Sequence, residues 1–233
     1  MPTNMNNIAE QLNAAYHNIT ENCQKLGREP ADVCLVAVSK TKPIAALMAA
    51  YEAGQRQFGE NYPQELQAKA TTLFALPELE WHFIGPLQSN KTRLIAEHAS
   101  WVHSIDRLKI AERLSAQRPA DLPPLQVLLQ INISHEDSKA GIHPDQLPGL
   151  ADAVAKLPQL QLRGLMAIPA PNDSKRAFEA MAQLSKSLQQ QHPGATELSM
   201  GMSDDWPLAL HYGATMIRLG TAIFGARTYE RNE

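Results

Sequence analysis

The feature that most restricts what this chain can fold into is an alternation: a short apolar run, then a stretch with helical spacing, repeated eight times. The runs are Val33 to Lys40, Gln57 to Asn61, Glu80 to Gly85, Trp101 to Ile105, Leu125 to Ile133, Gln161 to Ile168, Glu197 to Gly201 and Thr215 to Leu219. Between them apolar residues recur on one helical face, as at Leu66, Ala70, Leu73 and Phe74, or at Leu147, Leu150, Val154 and Leu157. Strands that alternate with helices form parallel sheets, because each right-handed crossover lays a helix over its strand pair. Eight such units in 233 residues predict an α/β fold, a single (β/α)8 barrel of TIM type near the lower end of its size range. The competing arrangement is an open doubly wound sheet, but no run is followed by a G-x-G-x-x-G turn.

An additional helix, Asn4 to Leu26, precedes the first strand, with Ile8, Leu12, Ala15 and Ile19 on one face and Gly27 as its stop. No Gly/Ser-rich linker or charge block divides the chain. The expected organisation is one domain over residues 1–233, with residues 1–27 an N-terminal helix packed on the barrel. A net charge of −3 gives no basic excess for nucleic acid. The polar start and the lack of a long apolar stretch give neither a signal peptide nor a membrane span, so a cytoplasmic protein is expected. Cys23 and Cys34 fall in a helix and a strand and read as small core residues, not as a disulfide or metal ligands.

The first run ends in Lys40. Period two places Val36, Val38 and Lys40 on one side, so the amine continues an apolar stripe; alone, this also fits a lysine that snorkels into water. In a barrel the chemistry gathers at the C-terminal strand ends. Those ends are Ser39 and Lys40; Glu60 and Asn61; Gly85 to Asn90; Asn132, Ser134, Ser138 and Lys139; Met166 and Pro169; Met200 to Asp205; and Arg218 to Thr221. The loops after strands seven and eight often form a phosphate site, and here they carry Gly201 with Ser203, and Gly220 with Thr221, beside the permanent charge of Arg218. Read blandly, Ser203 is a helix cap and Gly220 a turn.

A phosphate anchor opposite a strand-end lysine suits pyridoxal 5′-phosphate, whose aldehyde can condense with a lysine amine. A sugar phosphate is the other ligand these ends allow, with Glu60, His82 or His103 as its base. Gly85 to Thr92 falls short of a P-loop, since Asn90 stands where the second glycine belongs. His82, His98 and His103 lack metal-ligand spacing and read as packed or surface histidines. Glu136 and Asp137 read as a solvated loop, while Lys139 is equally a surface or a cofactor-proximal lysine.

Five motifs then resemble one family, in order and over nearly the whole chain: Ala37 to Pro43, Phe58 to Tyr62, Trp81 to Lys91, Ser199 to Asp205 and Arg218 to Gly225. They are similar to those of the YggS-type pyridoxal phosphate homeostasis proteins. The resemblance implies a barrel like the N-terminal domain of alanine racemase, with Lys40 as Schiff-base lysine. It implies phosphate contacts around Ser203, Gly220 and Thr221, with Asn61 and Arg218 near the cofactor and Arg218 meeting either the phosphate or the pyridine nitrogen; Met166, at the sixth strand end, joins them as a cofactor-binding candidate. Trp206-Pro207 departs from the family pattern, and Pro207 suits a first helical turn.

The resemblance further implies a carrier or regulator that buffers or delivers the cofactor, with PLP-dependent apo-enzymes as recipients and no catalytic residue; the short termini favour a monomer, and the histidine and cysteine placement gives no metal site. Similar racemases take a second base from a C-terminal domain, and the chain given ends at Glu233, too soon after Gly220 to be expected to hold one. The alternative is a PLP-dependent enzyme with weak racemase, aldolase or transaminase activity. Lys139 and the tail from Arg227 to Glu233 are candidates for a part in transfer.

Overall fold

Parallel strands follow one another around a closed barrel in chain order, and the eighth returns to the first. The structure, a computed structural model, describes residues 5–76, 78–134 and 140–225. Its strands are β1 Cys34–Val38, β2 Gln57–Glu60, β3 Glu80–Phe83, β4 Trp101–Ile105, β5 Leu125–Ile131, β6 Leu160–Ala167, β7 Glu197–Met202 and β8 Met216–Leu219. The α-helices among the described residues are α1 Met5–Lys25, α2 Ile44–Glu52, α3 Pro63–Thr72, α4 Thr92–His98, α5 Leu108–Gln117, α6 Leu147–Val154, α7 Ser174–Gln191, α8 Trp206–His211 and α9 Thr221–Phe224. The expected (β/α)8 architecture is what the chain adopts.

Alternation along each strand separates two apolar layers. Leu35, Ala37, Phe58, Phe83, Leu129 and Ile217 point outward and join one buried cluster with the helices. Leu128, Met166 and Met216 form a second, smaller cluster, with Cys34 and Trp101 packed against it. Ile8, Leu12 and Ile19 of α1 belong to the large cluster, and α1 lies on α2, α8 and α9. Cys23 and Cys34 are free thiols. Burial, with Glu80 and Glu197 nearby, pushes Cys34 up to about 12, as suits an inert core residue.

Several local expectations are corrected. β1 stops at Val38, so Lys40 lies in a turn and not on the strand itself. Thr41 at φ 62° takes the chain off the extended path there. Asp106, placed just before the helical spacing of Leu108, Ile110 and Leu114, is the cap that the sequence predicts for α5, but Arg107 holds the N-cap position and the Asp106 carboxylate accepts from the Arg107 guanidinium at 2.8 Å. Phe74 lies past the end of α3 and is 85% exposed. Asp205, not Ser203, is the N-cap of α8, and Pro207 sits in its first turn as expected.

Candidate functional site

All seven residues expected at the site lie on consecutive strands, β6, β7, β8, β1 and β2, or just beyond their C-terminal ends. Lys40 is half-buried, two residues past Val38. On one side of it, Ala37 pairs with Leu219, and a Cβ on Gly220 would stand 3.2 Å from the Val38 carbonyl oxygen, so the Gly220–Thr221 turn lies against the end of β1. On the other side β2 delivers Asn61. Gly85 lets the end of β3 pass against the Asn61 carbonyl, where a Cβ would overlap it. Ser203 follows Met202, which is level with Arg218 across the β7–β8 pair. Met166 is fully buried and pairs with Ser199.

Gly201 serves packing. It sits at φ 93°, and a Cβ there would come within 2.6 Å of Ala209 Cβ on α8. Thr221 opens α9, a single turn that sequence reading folded into the strand-end motif. Lys42 Nζ donates to the Phe224 and Gly225 carbonyls, both at 3.0 Å, and so tethers the far end of that turn.

Arg218 is 2% exposed, and burial draws it down to about 10. Its guanidinium donates to Ser199 Oγ at 2.6 Å and to the Ala167 carbonyl at 3.0 Å. No described carboxylate lies within ion-pair distance of it. Behind Ser199 a chain of buried groups crosses the barrel: Ser199 Oγ to His103 Nδ1 at 2.8 Å, His103 Nε2 to His82 Nδ1 at 2.9 Å, and His82 Nε2 to Gln57 Oε1 at 2.6 Å. Arginine has only donors, so Ser199 accepts at the head of the chain and its own proton goes to His103. His103 and His82 then each donate from Nε2. The reverse polarity would put two donors on Ser199 and leave its proton without an acceptor among these contacts. Burial pulls His82 down to about 3 and His103 well below its ordinary value, so both are neutral.

This chain removes His82 and His103 as bases for a sugar phosphate, since both rings are 0% exposed and committed. Glu60 is likewise 0% exposed and bonded to Ser39 and Lys69. In the near P-loop, the Thr92 hydroxyl lies 2.7 Å from Gln117 Oε1 and is spent on the fold. Lys139, Ser138, Glu136, Asp137 and the tail from Arg227 lie outside the described residues. Sequence reasoning missed Lys69 and the link from His82 and His103 to Arg218. The signals were a lysine inside the apolar face of α3, beside Leu66 and Ala70, and histidines on neighbouring strands at inward positions.

The opposite end of the barrel has a cavity of about 580 Å³ lined by the first residues of six strands, Cys34, Gln57, Glu80, Trp101, Glu197 and Met216. It lies at the N-terminal face, away from the strand ends that carry Lys40 and Arg218.

The first likeness is to a class of domain: residues 11–228 match the family described as alanine racemase, N-terminal domain. Alanine racemase of Streptomyces coelicolor shares the fold at 19% identity and TM-score 0.72, over 94% of this chain and 59% of that one. Much nearer are proteins named pyridoxal phosphate homeostasis protein, in Pseudomonas aeruginosa at 58% identity over 97% of this chain and 98% of the relative, and in Escherichia coli at 54% over 97% and 100%. PipY of Synechococcus elongatus, solved with PLP bound, is 43% identical with TM-score 0.73, over 89% of this chain and 100% of its own. The chain belongs to the family of the pyridoxal phosphate homeostasis proteins.

Proposed function

We propose that this protein binds pyridoxal 5′-phosphate on Lys40 and works in homeostasis of that cofactor, holding it reversibly and yielding it to apo-enzymes. The observation that carries the reading is the buried Arg218 guanidinium, with no described carboxylate in contact and only the charge of Asp205 acting on it from a distance, at the end of the strand beside the one that leads to Lys40. Burying a charge is costly unless it is compensated, and a bound acceptor or anion supplies the missing partner. The PLP-bound relative and the names of the related proteins support the same ligand.

The residues fit the group. Asn61 Oδ1 is buried with no partner among the described residues, an acceptor in want of a donor. Ser203 and Thr221 supply exposed hydroxyls at adjacent strand ends, and Gly220 leaves room beside Val38. Together they hold the phosphate, Arg218 meets the phosphate or the pyridine nitrogen, and Met166 closes the apolar floor. When bound, the cofactor supplies an aldehyde that condenses with an unprotonated lysine amine, with loss of one water. No described helix is long and apolar enough to cross a membrane. In this reading the protein acts as a monomer in the cytoplasm.

Titration with pyridoxal 5′-phosphate, followed by visible absorbance, tests the reading. The wild type should develop the band of the lysine-bound cofactor, and Lys40→Ala should lose it. Persistence of the band in Lys40→Ala removes Lys40 from the role, and no band in wild type removes the ligand.

A further inference from the structure

The backbone around Lys40 is gripped by a buried ionic cluster that the cofactor reading leaves without a task. Lys69 on α3 is 5% exposed, and its ammonium has three protons and three acceptors: the Ser39 carbonyl at 2.8 Å, Glu60 Oε1 at 2.8 Å and Glu65 Oε1 at 2.7 Å. Ser39 Oγ donates to Glu60 Oε1 at 2.6 Å, and the Ser39 N–H donates to the Gly59 carbonyl at 3.0 Å. The Thr41 N–H donates to Glu65 Oε1 at 2.6 Å.

These contacts have a specific geometric consequence. The Ser39 carbonyl belongs to the peptide plane before the Lys40 Cα, and the Thr41 N–H belongs to the plane after it. Two rigid planes meeting at one Cα define its φ and ψ, and therefore the direction in which its side chain leaves. Lys69 holds the first plane together with the Lys42 N–H, which donates to the same Ser39 carbonyl at 3.0 Å, and Glu65 holds the second. The two are ion-paired with each other one helical turn apart.

Stability alone does not account for this construction. A buried charge cluster is often no better than an apolar replacement, and α3 otherwise buries Leu66 and Ala70 on this side. Thr41, a β-branched residue, is held at φ 62°, a conformation that persists only where its surroundings over-determine it.

We propose that Lys69 and Glu65, with Glu60 behind them, are positioning residues for Lys40, aiming its amine at the ligand carbon before the ligand arrives. This rests on the reading of Lys40 as the attachment point. A misplacement of about 1 Å can cost up to about 10²-fold in rate, so a two-point grip on the backbone has a kinetic value.

The test compares Glu65→Ala with Glu65→Gln. Glutamine keeps the oxygen that both Thr41 and Lys69 use, and Glu65 is partly exposed, so both variants should fold. Two quantities are read: hydrogen exchange of the Thr41 amide without ligand, and the rate of covalent loading by pyridoxal 5′-phosphate. Glu65→Ala should lose Thr41 protection and load about tenfold more slowly, whereas Glu65→Gln should retain protection and load within about twofold of wild type. Loading by Glu65→Ala at the wild-type rate, with its Thr41 amide unprotected, overturns the proposal. So does equal slowing in both variants in step with their melting temperatures. A wild type that does not load defeats the cofactor reading itself, and the exchange data then decide separately whether the grip exists.

Discussion

Lys69 and Arg218 are both buried cations, and the barrel treats them in opposite ways. Lys69 is satisfied from within: two carboxylates and a carbonyl take its three protons. Arg218 has a serine and a carbonyl, backed by two neutral histidines and an amide, and no described carboxylate in contact. On the β2–α3 side the fold itself supplies carboxylates in contact with the buried ammonium, with Glu60 Oε2 left over without a partner among the described residues, while on the β7–β8 side the fold holds the guanidinium in place with no described carboxylate in contact. One barrel mouth thus holds one buried cation paired by carboxylates of the fold and another without a carboxylate in contact.

The largest expected effect breaks that contrast directly. Lys69→Met strands two carboxylates and should cost about 3–5 kcal/mol in denaturant unfolding. Arg218→Met strands none, so its cost should stay below about 2 kcal/mol, yet it should abolish binding of pyridoxal 5′-phosphate in the absorbance titration. Equal destabilisation by the two substitutions would show that the sectors do not differ as described.

A smaller effect concerns pH. The folded values of His82 and His103 lie below the ordinary 6.5, with His82 at about 3, so between these limits the unfolded chain binds more protons. Their contribution is fully present above about pH 6.5 and is lost as pH falls toward 3. Glu60 has the opposite sign: burial raises it above 4.5, so its contribution is present below about pH 4.5 and declines as pH rises from there through its folded value. Melting temperatures between pH 7 and 5 should fall in wild type and fall less in His103→Asn. An identical slope in the variant would show that the histidine chain is not neutral.

The strand pattern was legible because outward residues such as Leu35, Phe58 and Leu129 and the helix faces over them are local facts of sequence. Lys40 and Arg218 were legible as polar residues ending apolar strands. The end of β1 was not, since it depends on Ser39 and Thr41 being captured by α3, a contact no local pattern contains. α9 escaped notice because a single turn, Thr221–Phe224, is too short to show helical periodicity. The cap expected at Asp106 failed because the adjacent Arg107 took its carboxylate. The tie from His82 through His103 to Arg218 needed the closure of the barrel, which brings β3 and β4 across to β7 and β8.

The most direct measurement is chemical mapping of the attachment point: incubation with pyridoxal 5′-phosphate, borohydride reduction, digestion and mass analysis of the lysine peptides. One reduced adduct per chain is expected, on Lys40, with Lys42 and Lys69 unmodified because their amines are held by the fold. A principal adduct on Lys42, Lys69 or Lys139, or no adduct at all, would contradict attachment at Lys40.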